Sequence, residues 1–572
     1  MPLTDFRITS LRFSGGETIT VEPGSVLILV GPNNSGKSLA IREIASGTLV
    51  AQLPETKVLK EVQFNYPNDT ELSEALIADH PHVDLGQGLV QVTLQNGIQL
   101  HLNRWHPLPM HHDPHQRMAA SSVLQRKLDT ETRLSSTNPV QRIDPVSQAP
   151  TSDIHRLQKD PHAYKEAKSA MKEFFGLDLV IDFGGASTIE FRVGHEPAIT
   201  AEEDRVSPRY QEELKNHTVP LRESGDGIRC FVTTLIAAIA GSHPLLLIDE
   251  PEAFLYPPQA ARLGKAVTAS LTEQNRQAVI ATHSADFLRG VLSASQKTAI
   301  CRVERLGSVN HARLLTPEDL RKFWASPLLH SSQAINGMFH EAVIVCESDA
   351  DVRFYEQILS SLNPCSPPFD PYFVHGGGKG ALRSLVEAYR RLGIPTAVIA
   401  DLDLLKSQSD FAALFSVLGG EPESTERLFM TAVNGLADLG AALKFPDFIS
   451  QFTTLLSEMK AENKLAAEKR RRALHLLENA ADWSEAKKHG LNAARGEARQ
   501  KAQELLDISG RVGLFLVPEG ELEGWWRDGP PDKQEWIRSA LDHLRESPRH
   551  FAAAQTFMSA VCRHFGHTAS DR

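Results

Sequence analysis

Cysteine is scarce. Cys230, Cys301, Cys346, Cys365 and Cys562 are the five in a chain of 572 residues, and no two share a CxxC spacing. That excludes a disulfide scaffold and a thiolate zinc knuckle, and it fits reduced, buried thiols in a cytoplasmic protein. Long apolar runs are missing too. No stretch approaches the ~20 residues a membrane helix needs, so no membrane association is expected. The opening MPLTDFRITS lacks the basic, apolar and small-residue succession of a secretory signal. Positive charge is in deficit, with 60 Lys and Arg against 71 Asp and Glu and a net charge of −11. This excludes a uniformly basic coat but not a local basic stripe. One such stretch runs from Lys460 to Lys501, with 11 Lys and Arg against 6 Asp and Glu and the run KRRR at 469–472. It reads equally as a solvated helix face or as a phosphate-facing one.

What is present is patterned. At ~150 residues per domain the length implies three or four folding units. The segment SVLILVGPNNSGKSLAIREIA opens with an apolar strand, Val26 to Val30. It then passes through Gly31, Asn34, Ser35, Gly36, Lys37 and Ser38 into a helical pattern. This is the GxxxxGK[ST] phosphate loop in its strand–loop–helix setting. Its glycines let backbone amides and a helix N-terminus wrap a polyphosphate. Lys37 would reach the outer phosphates and the Ser38 hydroxyl would hold Mg²⁺. A second strand, in PLLLIDEPEAFL (244–255), ends in Asp249, suited to the Mg²⁺ shell, and Glu250, suited to orient the attacking water. A third, in QAVIATHSADFL (277–288), delivers His283. Ligands gather at the carboxyl ends of parallel strands, so these three ends are expected to meet. Ahead of the Asp-Glu strand, LRESGDGIRC (221–230) offers Ser224, Gly225 and Gly227, which by composition also suit a plain surface turn.

In this order the phosphate loop, Ser-Gly signature, Asp-Glu strand and switch His resemble the ABC-type ATPase heads, over roughly residues 1–325. The resemblance implies an ATP-dependent homodimer in which Ser224, Gly225 and Gly227 of one subunit close over the ATP of the other. It also implies a glutamine loop, with Gln63 as candidate and Gln52 and Gln95 as competitors. Residues 104–162 are rich in Pro, His, Ser and Gln and include His106, His111, His112 and His115. The irregular spacing, with no Cys among them, favours a flexible exposed insertion over a metal site.

The second half restarts the strand–carboxylate pattern. EAVIVCESDADVRFYEQIL (341–359) reads as a buried strand ending in Glu347, then a helix whose first turn holds Asp349 and Asp351. Either aspartate alone also suits a helix cap. YFVHGGGKGALRSLVEAYRRLG reads as strand, glycine turn and amphipathic helix, and PTAVIADLDLL (395–405) as a strand ending in Asp401 and Asp403. Parallel strands would bring Glu347, Asp401 and Asp403 to one edge. Like charges so close raise one another's pKa unless a cation neutralises them, and hard Mg²⁺ or Mn²⁺ suits such oxygens.

A Glu ending one strand and a DxD ending a later one resemble the TOPRIM domain of topoisomerases, bacterial primases and certain nucleases. The usual Gly after that Glu is Ser348 here. An ABC-type head followed by TOPRIM resembles the overcoming-lysogenization-defect (OLD) family of nucleases, over roughly residues 1–530. The resemblance implies an α/β fold: an ABC-type P-loop ATPase head (1–330), then a TOPRIM α/β domain (338–530) with a helical insertion at about 407–508 and a C-terminal helical cap (531–572). It implies a metal set of Glu347, Asp351, Asp401 and Asp403, with Glu523 from the strand segment GRVGLFLVPEGELEGWW (510–526). It also implies a late catalytic lysine, for which Lys533 is the candidate beside a plain surface role. The function implied is ATP-regulated, Mg²⁺- or Mn²⁺-dependent cleavage of DNA in anti-phage defence. The assembly would be a dimer or a tetramer, with an accessory RNA or protein as in retron systems. The rival reading is an ATP-operated DNA clamp or sensor that does not cut.

Overall fold

Five consecutive apolar residues, Val26–Val30, are all buried, and this strand (β1) lies within a six-stranded sheet. The computed structural model describes residues 6–47, 56–94, 99–104, 120–199, 204–294, 297–324, 335–362, 365–366, 369–437, 445–462, 469–473 and 483–569. The chain divides into two compact units, Met1–Ala325 and Ser326–Arg572. In the first, β1 is joined by Gln125–Leu128 (β2), Leu245–Asp249 (β3), Gln277–Ala281 (β4), Thr298–Leu306 (β5) and Val309–Leu315 (β6). Their order is β6-β5-β1-β4-β3-β2, with β6 antiparallel to β5 and every other pair parallel. The phosphate-loop strand therefore neighbours the His283 strand, which neighbours the Asp249 strand. Helix α1 (Lys37–Gly47) follows the loop, and α2 (Asp226–Ile239) follows the Ser-Gly signature. An antiparallel sheet of Arg7–Phe13, Thr18–Thr20 and Leu59–Asn65 shares one apolar core with β1 and α1, through Ile8, Leu11, Leu27, Leu29, Ile41 and Ile44.

One expectation is corrected. The stretch 104–162 is not simply an exposed insertion. The His-rich residues 105–119 lie outside the described residues, but from 120 onward the chain is built into the fold. Gln125–Leu128 pairs in parallel with Leu245–Ile248 as the sheet's outermost strand, and Leu124 and Leu128 are fully buried. Two helices, Asp153–Lys159 and Pro161–Phe175, follow. Polar composition hid them: of Gln125–Leu128 only Leu128 is buried, and Asp153–Lys159 buries Asp153 and His155 beside Ile154 and Leu157.

The second unit carries a four-stranded, all-parallel sheet: Val343–Cys346 (β7), Tyr372–His375 (β8), Thr396–Ala400 (β9) and Leu514–Leu516 (β10), in the order β8-β7-β9-β10. Helices α3 (Asp349–Ser361) and α4 (Lys379–Arg391) are the crossovers after β7 and β8. Between β9 and β10 the described residues are helical, including Gln408–Val417, Pro422–Ala437, Phe445–Glu462, the short α5 (Ser484–His489) and Gly496–Arg511. The C-terminal helices α6 (Lys533–Glu546) and α7 (Ala552–His564) are more than a cap. Trp536, Ile537, Leu544, Met558 and Val561 share a core with Phe354, Tyr355 and Ile358 of α3.

Candidate active sites

The first site forms where β1, β3 and β4 end side by side. Gly31 has φ +139, and a Cβ there would stand 2.0 Å from the Val303 carbonyl oxygen, so only glycine fits. Asn34 (φ 62) and Gly36 (φ 94) complete the tight loop. Lys37 Nζ donates to the Gly31 and Pro32 carbonyls, both at 2.8 Å, and to Ser35 Oγ at 3.3 Å. Burial lowers the Lys37 pKa to about 8 against the raising pull of Glu250, Asp249 and Glu252. The ammonium is thus folded back on its own loop beside three acids, a position from which an entering polyphosphate can draw it. The Ser38 hydroxyl donates to Asp249 Oδ1 at 2.8 Å. That pair of oxygens suits a hard divalent cation.

Glu250, just past the end of β3, sits in the left-handed region (φ 48), and its Oε1 lies 3.7 Å from His283 Nε2. Burial first, then Lys37, pushes the His283 pKa down to about 4, so the imidazole is neutral near pH 7. Two further residues belong here and were not singled out by motif. Arg133, with 0% exposure, donates to the backbone carbonyls of Asp249 at 2.8 Å and Glu250 at 2.9 Å. Glu252 Oε1 accepts the His283 backbone N–H at 2.8 Å and fixes the switch residue. The second glutamate of DEPE was a visible signal for Glu252. Arg133 gave none, because its role depends on pairing of β2 with β3.

The signature residues lie at the start of α2. Ser224 Oγ donates to the Leu221 carbonyl at 2.6 Å, Gly225 is the exposed N-cap, and Gly227 makes room for the Phe254 carbonyl, which a Cβ would approach to 2.6 Å. Gln63 does not support the glutamine-loop expectation. It lies on the separate antiparallel sheet, where Ser10 Oγ donates to it at 3.1 Å and its own amide donates to Glu61 at 2.9 Å. Its competitors Gln52 and Gln95 fall outside the described residues.

The second site stands at the carboxyl ends of β7 and β9. These strands pair in parallel with Cys346 opposite Ile399, so the residues that follow meet. Glu347, Asp401 and Asp403 each offer an oxygen, all within 4.8 Å of one another. The Asp401 N–H donates to Glu347 Oε1 at 3.1 Å and fixes that carboxylate. Burial first, then Glu347, Asp351 and Asp403, raise the Asp401 pKa to about 8, with Lys533 opposing. Three carboxylates so close, one driven to hold a proton, are the donor set a hard divalent cation satisfies.

Two expected ligands are placed differently. Asp351 is buried, and its Oδ2 accepts both the N–H and the hydroxyl of Ser348 at 2.8 Å. Ser348, standing where the usual Gly would be, thus bonds one oxygen of Asp351 at the start of α3, and Asp351 lies near enough to help raise the Asp401 pKa. Glu523 lies on the turn Leu522–Trp525 and faces Glu521, outside the group of three. Glu521 pairs with Lys487 at 3.3 Å and feels Lys533. Lys533, at the first position of α6, thus lies within electrostatic reach of both Asp401 and Glu521.

Comparison with known proteins matches part of each unit. A family model for an AAA domain, described as a putative AbiEii toxin of a type IV toxin–antitoxin system, matches residues 112–289. An overcoming-lysogenization-defect-protein-like TOPRIM model matches residues 338–403, which span Glu347 to Asp403. Protein ea59 of Escherichia phage lambda is 30% identical over 97 residues, or 17% of this chain and 18% of that protein. The chain thus spans under a fifth of the length of the curated relative it matches. Similar solved structures include the SMC head domain from Thermotoga maritima, 12% identical, covering 54% of this chain and 99% of that one with a TM-score of 0.28. Another is a Pyrococcus furiosus Smc head with an extended coiled coil bound to the C-terminal domain of ScpA, at 11% identity, 56% and 99% coverage and a TM-score of 0.32. Among the described residues no helix is long and apolar enough to cross a membrane.

Proposed function

Given that the chain joins an ABC-type ATPase head to an OLD-like TOPRIM domain, the domain pair of an OLD-family ATPase–TOPRIM fusion, we propose that it is an ATP-regulated, divalent-metal-dependent DNA endonuclease or nickase. The observation that carries this reading is the meeting of Glu347, Asp401 and Asp403 oxygens within 4.8 Å at the ends of two adjacent parallel strands.

In the ATPase head, Lys37, now bonded to its loop carbonyls, would reach the outer phosphates, and Ser38 and Asp249 would hold the Mg²⁺ that accompanies ATP. Glu250 orients the attacking water and His283, neutral and fixed through Glu252, marks the γ-phosphate position. Ser224, Gly225 and Gly227 complete the site of a second subunit, so the working unit is a homodimer that further pairing can extend to a tetramer.

In the TOPRIM domain, Glu347, Asp401 and Asp403 hold Mg²⁺ or Mn²⁺. The bound cation supplies charge neutralisation at a phosphodiester and a more acidic water. Asp401 would act there in its carboxylate form. Its N–H keeps Glu347 in place throughout, and Lys533 adds positive charge at the edge where phosphate enters. The toxin–antitoxin description of one matching family and the OLD-like description of the other support a role in anti-phage defence.

The test is conversion of supercoiled plasmid to nicked or linear forms with Mn²⁺ or Mg²⁺, with and without ATP. The native protein should cut, and Glu347→Ala should lose cutting while keeping ATPase activity. A native protein that binds DNA but never cuts would replace this reading with a clamp. Phage plating on cells expressing the native protein or Glu347→Ala tests the defence role, which fails if the two plate alike.

A further inference from the structure

Lys487 is remote from Asp401 in sequence, yet the returning end of the helical insertion is fastened to the acidic edge. Gly490 (φ +57) and Gly520 (φ +101) let two loops interleave. A Cβ at Gly490 would stand 2.0 Å from the Pro518 carbonyl oxygen, and one at Gly520 would stand 2.2 Å from that of Lys487. The Leu491 N–H donates to the Pro518 carbonyl at 2.8 Å. The Leu402 N–H, between the two aspartates, donates to the Gly520 carbonyl, also at 2.8 Å. Arg527 ties the same loops together, donating to the His489 carbonyl at 3.3 Å and to Glu519 at 2.8 Å. One loop is therefore bonded on one side to the Asp401–Asp403 turn and on the other to the segment carrying Lys487.

The Lys487 ammonium ends 3.3 Å from Glu521, with 46% of its side chain exposed. Burial disfavours its charge, but Glu521, then Asp403 and Asp401, outweigh burial and keep it charged. A half-exposed ion pair adds little stability and needs no such fastening. A DNA strand approaching three carboxylates does need a cation at the rim, because like charges repel it before and after a divalent ion binds.

We infer that Lys487 is a DNA-positioning residue, delivered by the insertion, that holds a backbone phosphate at the rim of the Glu347–Asp401–Asp403 cluster. The inference rests on the cleavage reading of that cluster. As the strand enters, the ammonium leaves Glu521 for a non-bridging phosphate oxygen, and no covalent bond changes.

The test uses the full chain and a fluorescent duplex, with Ca²⁺ in place of Mg²⁺ to hold off cleavage, titrated at several salt concentrations. Plasmid nicking with Mn²⁺ runs in parallel. Lys487→Met should weaken DNA binding several-fold and lower the slope of log affinity against log salt by ~0.7–0.9, the mark of one lost phosphate contact. It should raise KM for nicking more than it lowers kcat, and Lys487→Arg should restore the slope. Unchanged affinity and slope in Lys487→Met, or no rescue by Arg, overturns the inference. If the native protein never nicks but the slope still falls in Lys487→Met, the phosphate contact stands and the cleavage reading falls. If it nicks and the slope is unchanged, the reverse holds.

Discussion

Replacing Asp401 by Asn should stabilise the metal-free second unit, and the gain should grow with pH. Asp401 is largely buried, with burial first and then Glu347, Asp351 and Asp403 lifting its carboxyl to about 8 from an ordinary 3.8. Throughout that window the native state keeps a proton that the unfolded chain has released. The unfolded state therefore binds fewer protons, and native stability falls as pH rises toward about 8, then levels off. At about 1.4 kcal/mol per pH unit, the loss reaches about 3 kcal/mol between pH 5.5 and 8. Asn has no proton to release, so the stability gap between variant and native protein should widen by about that much over the same range. Urea unfolding in the presence of a chelator measures it, with the fluorescence of core Trp525 and Trp536 as the probe. Added Mg²⁺ or Mn²⁺ should close the gap, because the cation takes the place of the proton in the native site alone. Cation affinity should accordingly rise with pH up to about 8. A gap that stays constant from pH 5.5 to 8 would refute the reasoning, since Asp401 would then ionise as an isolated carboxylate.

Glu250→Gln should lower ATP turnover by ~10²–10⁴-fold while leaving ATP binding intact, and light scattering should show an ATP-bound dimer that no longer dissociates. Equal turnover in native and variant proteins would remove Glu250 from the hydrolytic role. Arg133→Met should cost roughly 3 kcal/mol of stability by leaving the Asp249 and Glu250 carbonyls unpaired, seen as a lower unfolding midpoint of the ATPase unit together with slower hydrolysis.

Both sheets were legible in the sequence because buried parallel strands are continuous apolar runs, and each functional strand ends in its own chemistry. VLILV leads to the phosphate loop, LLLID to Asp249, AVIVC to Glu347 and TAVIA to Asp401. Adjacency followed from parallel topology, and pairing of β7 with β9 brings Glu347 to Asp401. Harder to read were residues whose role arises only from long-range packing. Arg133 acts across 116 residues, Lys487 reaches Glu521 through interleaved loops, and the polar edge strand Gln125–Leu128 carried no apolar pattern. Asp351 shows the other difficulty. An acid in the first turn of a helix suits metal binding and capping alike, and the structure shows one Asp351 oxygen bonded to Ser348.

The proposed cleavage requires Glu347, Asp401 and Asp403 to share a divalent cation. Crystals of the native protein soaked in Mn²⁺ and measured at the manganese absorption edge test it most directly. An anomalous peak bonded to oxygens of all three carboxylates, absent from Asp401→Asn crystals, is the expected result. Crystals with manganese at the ATPase site and none among these acids would contradict it.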